Sequence, residues 1–186
     1  MKSGPAIMTL TKFLKIILDN AMRTNDEGNM LEIELNPSLS TGRIILKLRN
    51  APKLTAVYKK VRRVLKDYLM GKKPWNKTMV DSAKGLLIYE WTQKEKFISG
   101  FVSTLDASYL RNMDANYNRM FIKSLAKVKS EDLKSVAKGI LTQFLHPDSV
   151  QTVIVCNQEK INHIRMDFAK LGFQIKVHRS FEDTAQ

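Results

Sequence analysis

The chain has 186 residues, which is enough for one domain with a hydrophobic core. It carries 31 Lys and Arg residues against 18 Asp and Glu residues, a formal net charge of +13 at pH 7. Such a balance is compatible with nucleic acid, an anionic membrane or an acidic protein as a partner, but charge alone names no partner. A lysine-rich solvated surface, or a piece of a larger protein whose acidic regions lie elsewhere, explains it more simply. The single cysteine, Cys156, excludes an internal disulfide and gives no argument for secretion. No apolar run approaches the about 20 residues that span a bilayer.

The first predicted element is an amphipathic helix that begins at Thr9 or Thr11 and ends at about Met22. Residues 1–18 contain lysines but no acidic residue, a composition shared with mitochondrial presequences. The same stretch lacks arginine, which favours an ordinary helix over a targeting segment. We therefore expect an intracellular protein, cytoplasmic or alternatively mitochondrial, with residues 1–28 as a separate N-terminal helical segment.

A β-hairpin is predicted next. Apolar and polar residues alternate over residues 31–35 and again over 44–49, as they do in half-buried strands. The intervening residues 36–42 include Pro37 and Gly42, which are common in loops that connect strands.

The predicted helix between Pro52 and Gly71 is strongly cationic. Eight Lys or Arg residues and one Asp within residues 53–73 give this segment a charge of +7. Tyr58 and Tyr68 fall on its apolar stripe and are expected to be buried, so the helix offers charge to phosphates but no exposed ring to stack on bases. The candidate residues for binding an anion or a partner are Lys59, Lys60, Arg62, Arg63 and Lys66.

Three further helices and a strand–helix–strand pattern are predicted in the rest of the chain. The helices cover about residues 77–111, 116–127 and 130–144. The β-branched run Val150–Cys156 predicts a buried strand, and a helix over residues 158–171 ends at Gly172. Alternating apolar residues over 173–177 predict a final strand.

No segment contains the residues of a recognisable catalytic or metal site. A zinc hydrolase needs two neighbouring histidines, a third ligand and a general base, but His146, His163 and His178 each stand alone. Glu90 and Glu95 have no histidine partner and are interpreted as structural or solvated. Nucleophile-elbow and phosphate-loop patterns are also absent. We therefore assign no catalytic residue, metal ligand or cofactor to this chain, and expect neither tight zinc binding nor peptide cleavage.

Several short motifs between residues 74 and 180 resemble one known family in their order and spacing. They are Pro74-Trp75-Asn76, Asp81-Ser82-Ala83-Lys84, Leu86-Leu87-Ile88-Tyr89-Glu90, residues 111–119, residues 128–133, residues 152–157 and Leu171-Gly172-Phe173. Together they are similar to the last part of the final unit of pitrilysin-type (inverzincin) zinc metallopeptidases, which include insulin-degrading enzymes and presequence proteases. The similarity covers about residues 43–180, and the family's H-x-x-E-H zinc motif is absent.

The resemblance implies an α+β fold, with a small, mainly antiparallel sheet covered on one face by several helices, as in a truncated pitrilysin-type unit. Residues 29–186 would form this single domain. In the family, four units enclose a peptide-degrading chamber and only the first unit carries zinc. The resemblance therefore implies a non-catalytic, chamber-wall role, with the remainder of the parent peptidase as partner.

The competing function is a free-standing basic module that binds nucleic acid or an acidic protein. The chain also looks like an incomplete unit, truncated or isolated from a longer protein. For such a unit we expect an unpaired sheet edge and exposed apolar surface that lead to self-association. The alternative is that residues 13–18 fold back as a replacement helix and cover the gap.

Overall fold

The structure is a computed structural model that describes residues 3–23, 32–38, 43–49, 51, 53–96 and 117–177. The helices are α1 (Ser3–Arg23), α2 (Leu54–Leu69), α3 (Lys77–Lys96), α4 (Tyr117–Ala126), α5 (Ser130–Leu145) and α6 (Ile161–Ala169). The strands are β1 (Glu32–Ser38) and β2 (Arg43–Arg49). Short 3-10 turns at Pro147–Ser149 and Gln158–Lys160 lie on either side of residues 150–157.

Helix α1 is the centre of the main hydrophobic core. Its apolar residues occur on nearly all sides of the helix, a pattern typical of a helix buried all round. The helix contacts β1 and the helices α2, α3, α4 and α5. Its buried apolar residues are Ala6, Leu10, Phe13, Leu14, Ile17, Leu18 and Met22. The segment that the resemblance leaves unmatched therefore supplies the largest single share of this core.

Two buried polar side chains of α1 have hydroxyl groups that form hydrogen bonds within the helix. The Thr9 hydroxyl donates to the Pro5 carbonyl oxygen at 2.8 Å, and the Thr11 hydroxyl donates to the Met8 carbonyl oxygen at 2.9 Å. Because each bond stays within the helix, α1 meets the hydrogen-bonding needs of these threonines without help from another element.

Aromatic packing joins α1 to the turn between α2 and α3. The Phe13 ring stacks on Trp75 with a centroid distance of 5.1 Å and meets the edge of Tyr68 at 5.6 Å. The same turn is ordered by Gly71, whose φ of 70° suits glycine, and by Asn76, whose Oδ1 accepts the Thr78 N–H at 2.8 Å. The Pro74-Trp75-Asn76 motif thus has a structural role here.

The remaining helices pack around α1 through their apolar faces. Helix α2 contacts α5 and α6, while α3 contacts α4. Val61, Val64 and Leu65 of α2 join Leu133, Ala137 and Leu141 of α5 in the main core. A smaller cluster between α3 and α4 is formed by Leu87, Phe121 and Leu125, and Trp91 stacks on Phe121 with a centroid distance of 4.7 Å.

The two strands form an antiparallel hairpin whose second strand lies against the main core. The register places Leu46 opposite Leu35 and Leu48 opposite Ile33. Leu46 and Leu48 are half-buried against the core, and the alternate residues of β2 are exposed. Strand β1 includes residues 36–38, which were predicted as loop; the rest of that loop lies outside the described residues.

The predicted α+β fold class is wrong. Helices account for most of the described residues, and the sheet within them has two strands rather than a helix-covered layer. Val150–Cys156 and residues 173–177, predicted as strands, are neither strand nor helix in the structure. Their β-branched residues favour an extended backbone, but a strand also needs a neighbour to accept and donate hydrogen bonds. Neither segment has such a neighbour among the described residues.

The predicted helices are confirmed, with shifted ends. Helix α1 begins at Ser3 instead of Thr9 or Thr11, and α2 begins at Leu54. The N-cap of α5 is Lys129, whose N–H donates to Asp132 Oδ2 at 2.8 Å. Residues 97–111 of the long third helix lie outside the described residues.

Candidate interaction surfaces

One face of α2 carries an exposed row of cations, called here the cationic face: Lys59, Arg63 and Lys66. Spacings of four and three residues place these side chains on the same side of the helix, and all three are exposed. They form no ion pair with any residue that the structure describes. Lys72 and Lys73, also exposed, follow just beyond the end of the helix.

Two of the five residues predicted from the sequence for this surface do not belong to it. Lys60 is half-buried. Arg62 is also half-buried, and its Nη2 donates to the Leu145 carbonyl oxygen, at the C-terminal end of α5, at 2.6 Å. A cation at this position satisfies a carbonyl left free by the helix and complements the negative end of its dipole. Arg62 therefore has a structural role, and the cationic face is reduced to three residues.

Arg62 also borders the second cluster of buried aromatic residues, formed by Tyr58, Phe168 and Phe173. The three ring centroids lie 5.1 to 5.8 Å apart. The Arg62 guanidinium carbon lies 5.9 Å from the centroids of both Tyr58 and Phe173, within the range of a cation–π contact. This C-terminal cluster holds α6 and the residues after it against α2.

The Tyr58 hydroxyl is buried in this cluster and has no hydrogen-bond partner among the described residues. Burial raises the pKa of the Tyr58 phenol, and the neighbouring Arg62 charge lowers it by less. A buried hydroxyl without a partner loses its bonds to water on folding, so it destabilises the structure.

Residues 151–156, called here the open segment, are neither helix nor strand, and no backbone among the described residues pairs with them. The dihedral angles of its neighbours are extended, with φ −120° and ψ 126° at Val150 and φ −63° and ψ 145° at Asn157. Within the part of the chain that the structure describes, residues 151–156 make no backbone hydrogen bond. Ile154 and Cys156 are half-buried, whereas Val153 and Val155 are 78% and 79% exposed.

Residues 174–177 resemble the open segment. Phe173 and Ile175 face the C-terminal cluster, to which Ile154 of the open segment also contributes. Gln174 and Lys176 are exposed, and no backbone hydrogen bond of residues 174–177 is found with any described residue. The preceding turn depends on Gly172, whose φ is 89° and whose added Cβ would approach Pro147 Cγ to 3.3 Å. Two strand-like segments are thus anchored on one cluster without pairing.

The titratable residues considered for chemistry lie apart from one another. His146 Nδ1 is 3.7 Å from Asp148 Oδ2, and His163 Nε2 is 3.3 Å from Asp167 Oδ2. Glu90 is paired with Lys12 of α1. His178 and the Glu95 side chain lie outside what the structure describes. Among the described residues no three His, Cys, Asp or Glu side chains are grouped in a way that could hold a metal ion.

None of the described helices has the length and hydropathy needed to cross a membrane. Comparisons of the chain with known protein families, with curated proteins and with solved structures found no match. The pitrilysin resemblance remains an interpretation of the sequence motifs.

Sequence reasoning missed the two most exposed apolar residues in the C-terminal part, Val153 and Val155. It interpreted Val150–Cys156 as a buried strand because β-branched residues fill the run. Two features of the sequence argue against burial. Gln151 and Thr152 are polar, and few other strand-like segments exist to flank the run on both sides.

Proposed function

We propose that this chain is a non-catalytic structural module that binds another polypeptide. In terms of the family it resembles, it would be a chamber-wall part of a pitrilysin-type zinc metallopeptidase. One observation carries the proposal: the open segment exposes Val153 and Val155 on a backbone that has no hydrogen-bond partner among the described residues. Exposed apolar side chains beside free backbone groups are typical of surfaces that another chain covers.

The C-terminal cluster supports this role by anchoring the segment through one side chain. Ile154 packs on the C-terminal cluster, and that cluster is held to α2 through Tyr58. A surface already held in its binding shape loses less conformational entropy when a partner binds. The arrangement therefore suits assembly better than a loose tail of the same composition would.

The test is to purify the chain at native abundance from its own cells and identify what accompanies it. A stoichiometric polypeptide with an H-x-x-E-H motif, either a second chain or a continuation of this one, is the expected result. Recovery of a free monomer that binds no hydrophobic dye at high concentration would contradict the proposal, because the exposed valines would then need no cover.

A second candidate function, a basic binding module, is favoured by the cationic face alone. Lys59, Arg63 and Lys66 are exposed, lie on one side of α2 and lack acidic partners among the described residues. Three cations that replace counterions on DNA predict affinity that falls steeply with salt, with a slope of about −0.9 per phosphate neutralised.

This candidate is tested by binding of random-sequence DNA at low salt. Replacing Lys59, Arg63 and Lys66 with Glu should abolish binding if the cationic face is the contact. The matched control replaces the exposed Lys134 and Lys138 of α5 with Glu, which also changes the net charge but on another helix. An equal loss in both variants would show a response to net charge and would count against a site on α2.

A further inference from the structure

We propose that the open segment binds an extended, acidic segment of another polypeptide by β-strand addition. The inference deepens the proposed function, on which it rests for the existence of a partner. It adds the mode of binding, the residues that make the contact and the chemistry of the bound segment.

The backbone of the open segment is available for pairing. A strand that adds to an edge forms backbone hydrogen bonds with alternate residues of that edge. The Val150 N–H is used by the preceding turn, where it donates to the Pro147 carbonyl oxygen at 3.3 Å. The groups of residues 151–156 have no such partner within the described part of the chain. Six consecutive residues, the length of an average strand, are therefore free to pair.

The side chains of the open segment divide between an anchored face and a free face. Ile154 contacts the cluster of Tyr58, Phe168 and Phe173, which fixes the segment in position. Val153 and Val155 alternate with it and are exposed. An added strand would align its own alternate side chains with these valines, and such cross-strand apolar pairs stabilise a sheet.

The open segment also lacks the features that usually prevent strand addition. Natural edge strands are protected by charged residues, by proline or by a bulge. Residues 149–158 contain no charged residue and no proline. An unprotected edge that is anchored through Ile154 favours a binding role over an accidental one.

Charge selects the kind of partner. The chain carries +13 overall, and residues 150–177 contain four basic residues and two acidic ones, a local charge of +2. Two copies of the chain would repel each other, whereas an acidic segment would be attracted. Apolar residues on one side of the added strand would meet Val153 and Val155, and acidic residues would alternate with them. Lys160 and Lys176, both exposed, lie near the two strand-like segments in the sequence.

The experiment uses the full chain and a capped, labelled peptide in which glutamate alternates with valine over about eight residues, the length of a strand. Binding is measured by fluorescence anisotropy, and amide hydrogen exchange of residues 151–156 is measured with and without the peptide. The proposal expects saturable binding that slows exchange in the open segment. A lysine–valine peptide of the same length should not bind.

Two controls separate strand addition from simple charge attraction. N-methylation of one glutamate and the adjacent valine at the peptide's centre blocks a hydrogen bond on either edge and leaves the charge unchanged. It should weaken binding about five- to tenfold, because the one methylated N–H that faces the open segment can no longer donate a hydrogen bond. The double substitution Val153→Ser and Val155→Ser should cause a similar loss. Met166→Ser, at a residue 59% exposed on α6, should change affinity less than about twofold.

Equal affinity for the methylated peptide, or no binding by either peptide, overturns the inference. So does protection of residues 151–156 that grows with protein concentration and with added salt, because that result identifies a second copy as the occupant. The proposed function fails on a different result, the recovery of a free monomer that binds no hydrophobic dye. A natural partner that binds equally to wild type and to the double Ser variant leaves the structural role intact and removes only the open segment as its site.

Discussion

The N-terminal and C-terminal parts of this chain contain similarly apolar segments that differ in how far they are buried. In α1, Phe13, Leu14 and Leu18 are almost completely buried, while in the open segment Val153 and Val155 are among the most exposed apolar residues. Helix α1 satisfies its backbone hydrogen bonds internally, so it can be buried wherever its side chains fit. The open segment needs a neighbouring strand for the same purpose, and none of the described elements provides one.

The comparison teaches that hydrophobicity alone does not decide burial. The backbone must also be satisfied, and that requirement distinguishes α1, whose backbone bonds are internal, from the open segment, whose backbone has no partner among the described residues.

The largest effect is expected in α1. Phe13→Ala should destabilise the chain by about 3 to 5 kcal/mol, because it removes a fully buried ring and its contacts with Tyr68 and Trp75. Urea denaturation followed by circular dichroism measures the change. Met166→Ala, at an exposed site, should stay within about 0.5 kcal/mol of wild type. A Phe13→Ala cost no larger than that of the control would show that α1 is not the centre of the core.

The next effect tests the junction between the two parts. Arg62→Ala should cost about 2 kcal/mol, since it removes a charged hydrogen bond to the Leu145 carbonyl oxygen and the packing on Tyr58 and Phe173. Arg63→Ala, on the cationic face, should cost less than about 0.5 kcal/mol. Thermal or urea unfolding of both variants checks the contrast. Equal costs would mean that Arg62 is as solvated as its neighbour and belongs to the cationic face.

The structural role of Arg62 also shows where sequence reasoning ends. Helical periodicity predicts each helix of the described chain, because apolar residues recur at helical spacing whatever those helices pack against. Periodicity also separates Tyr58 from the cationic residues of α2. Spacing also places Arg62 four residues after Tyr58, at the apolar stripe, and Arg63 four residues after Lys59. It cannot identify the partner of Arg62, a carbonyl oxygen 83 positions away at the end of α5.

The fold class failed for the same reason. A strand pattern gives the preference of one segment, whereas a sheet is a relation between segments that are distant in the sequence. The pattern of Val150–Cys156 predicts an extended backbone and no more. The hairpin is easier to predict, because β1 and β2 are close in sequence and each supplies the other's partner.

A smaller effect is expected at Tyr58. Tyr58→Phe removes a buried hydroxyl without a hydrogen-bond partner and keeps the ring packing, so it should stabilise the chain by about 1 kcal/mol. Because burial raises the pKa of Tyr58 in the folded state, the folded chain holds the phenolic proton more tightly than the unfolded chain. The contribution of Tyr58 to the free energy of unfolding is therefore fully present below the ordinary tyrosine pKa of about 10, and it is lost as the pH rises above that value.

Urea unfolding at pH 8 and pH 11 measures both effects. The variant should lose less stability than wild type between these two pH values, and some loss should remain because burial also raises the pKa of Tyr68. Tyr68→Phe is the matched variant for the main core, because it removes a tyrosine hydroxyl there and keeps the ring that lies against Trp75. Destabilisation by Tyr58→Phe would show that the hydroxyl has a partner and that the C-terminal cluster is better satisfied than described.

The smallest effect on stability is expected in the open segment. The double substitution Val153→Thr and Val155→Thr keeps the β-branched shape and changes side chains that are already in water, so unfolding should shift by less than about 0.5 kcal/mol. The same variant should bind less of a hydrophobic dye than wild type, because apolar surface is lost where the backbone is also unpaired. Fluorescence titration with the dye and urea unfolding of one preparation measure the two quantities together. A cost above about 1 kcal/mol would mean that the valines are covered in the folded chain. The contrast between the buried apolar residues of α1 and the exposed valines of the open segment would then fail. Side chains that contribute that much to folding are covered within the chain and are not available to a partner.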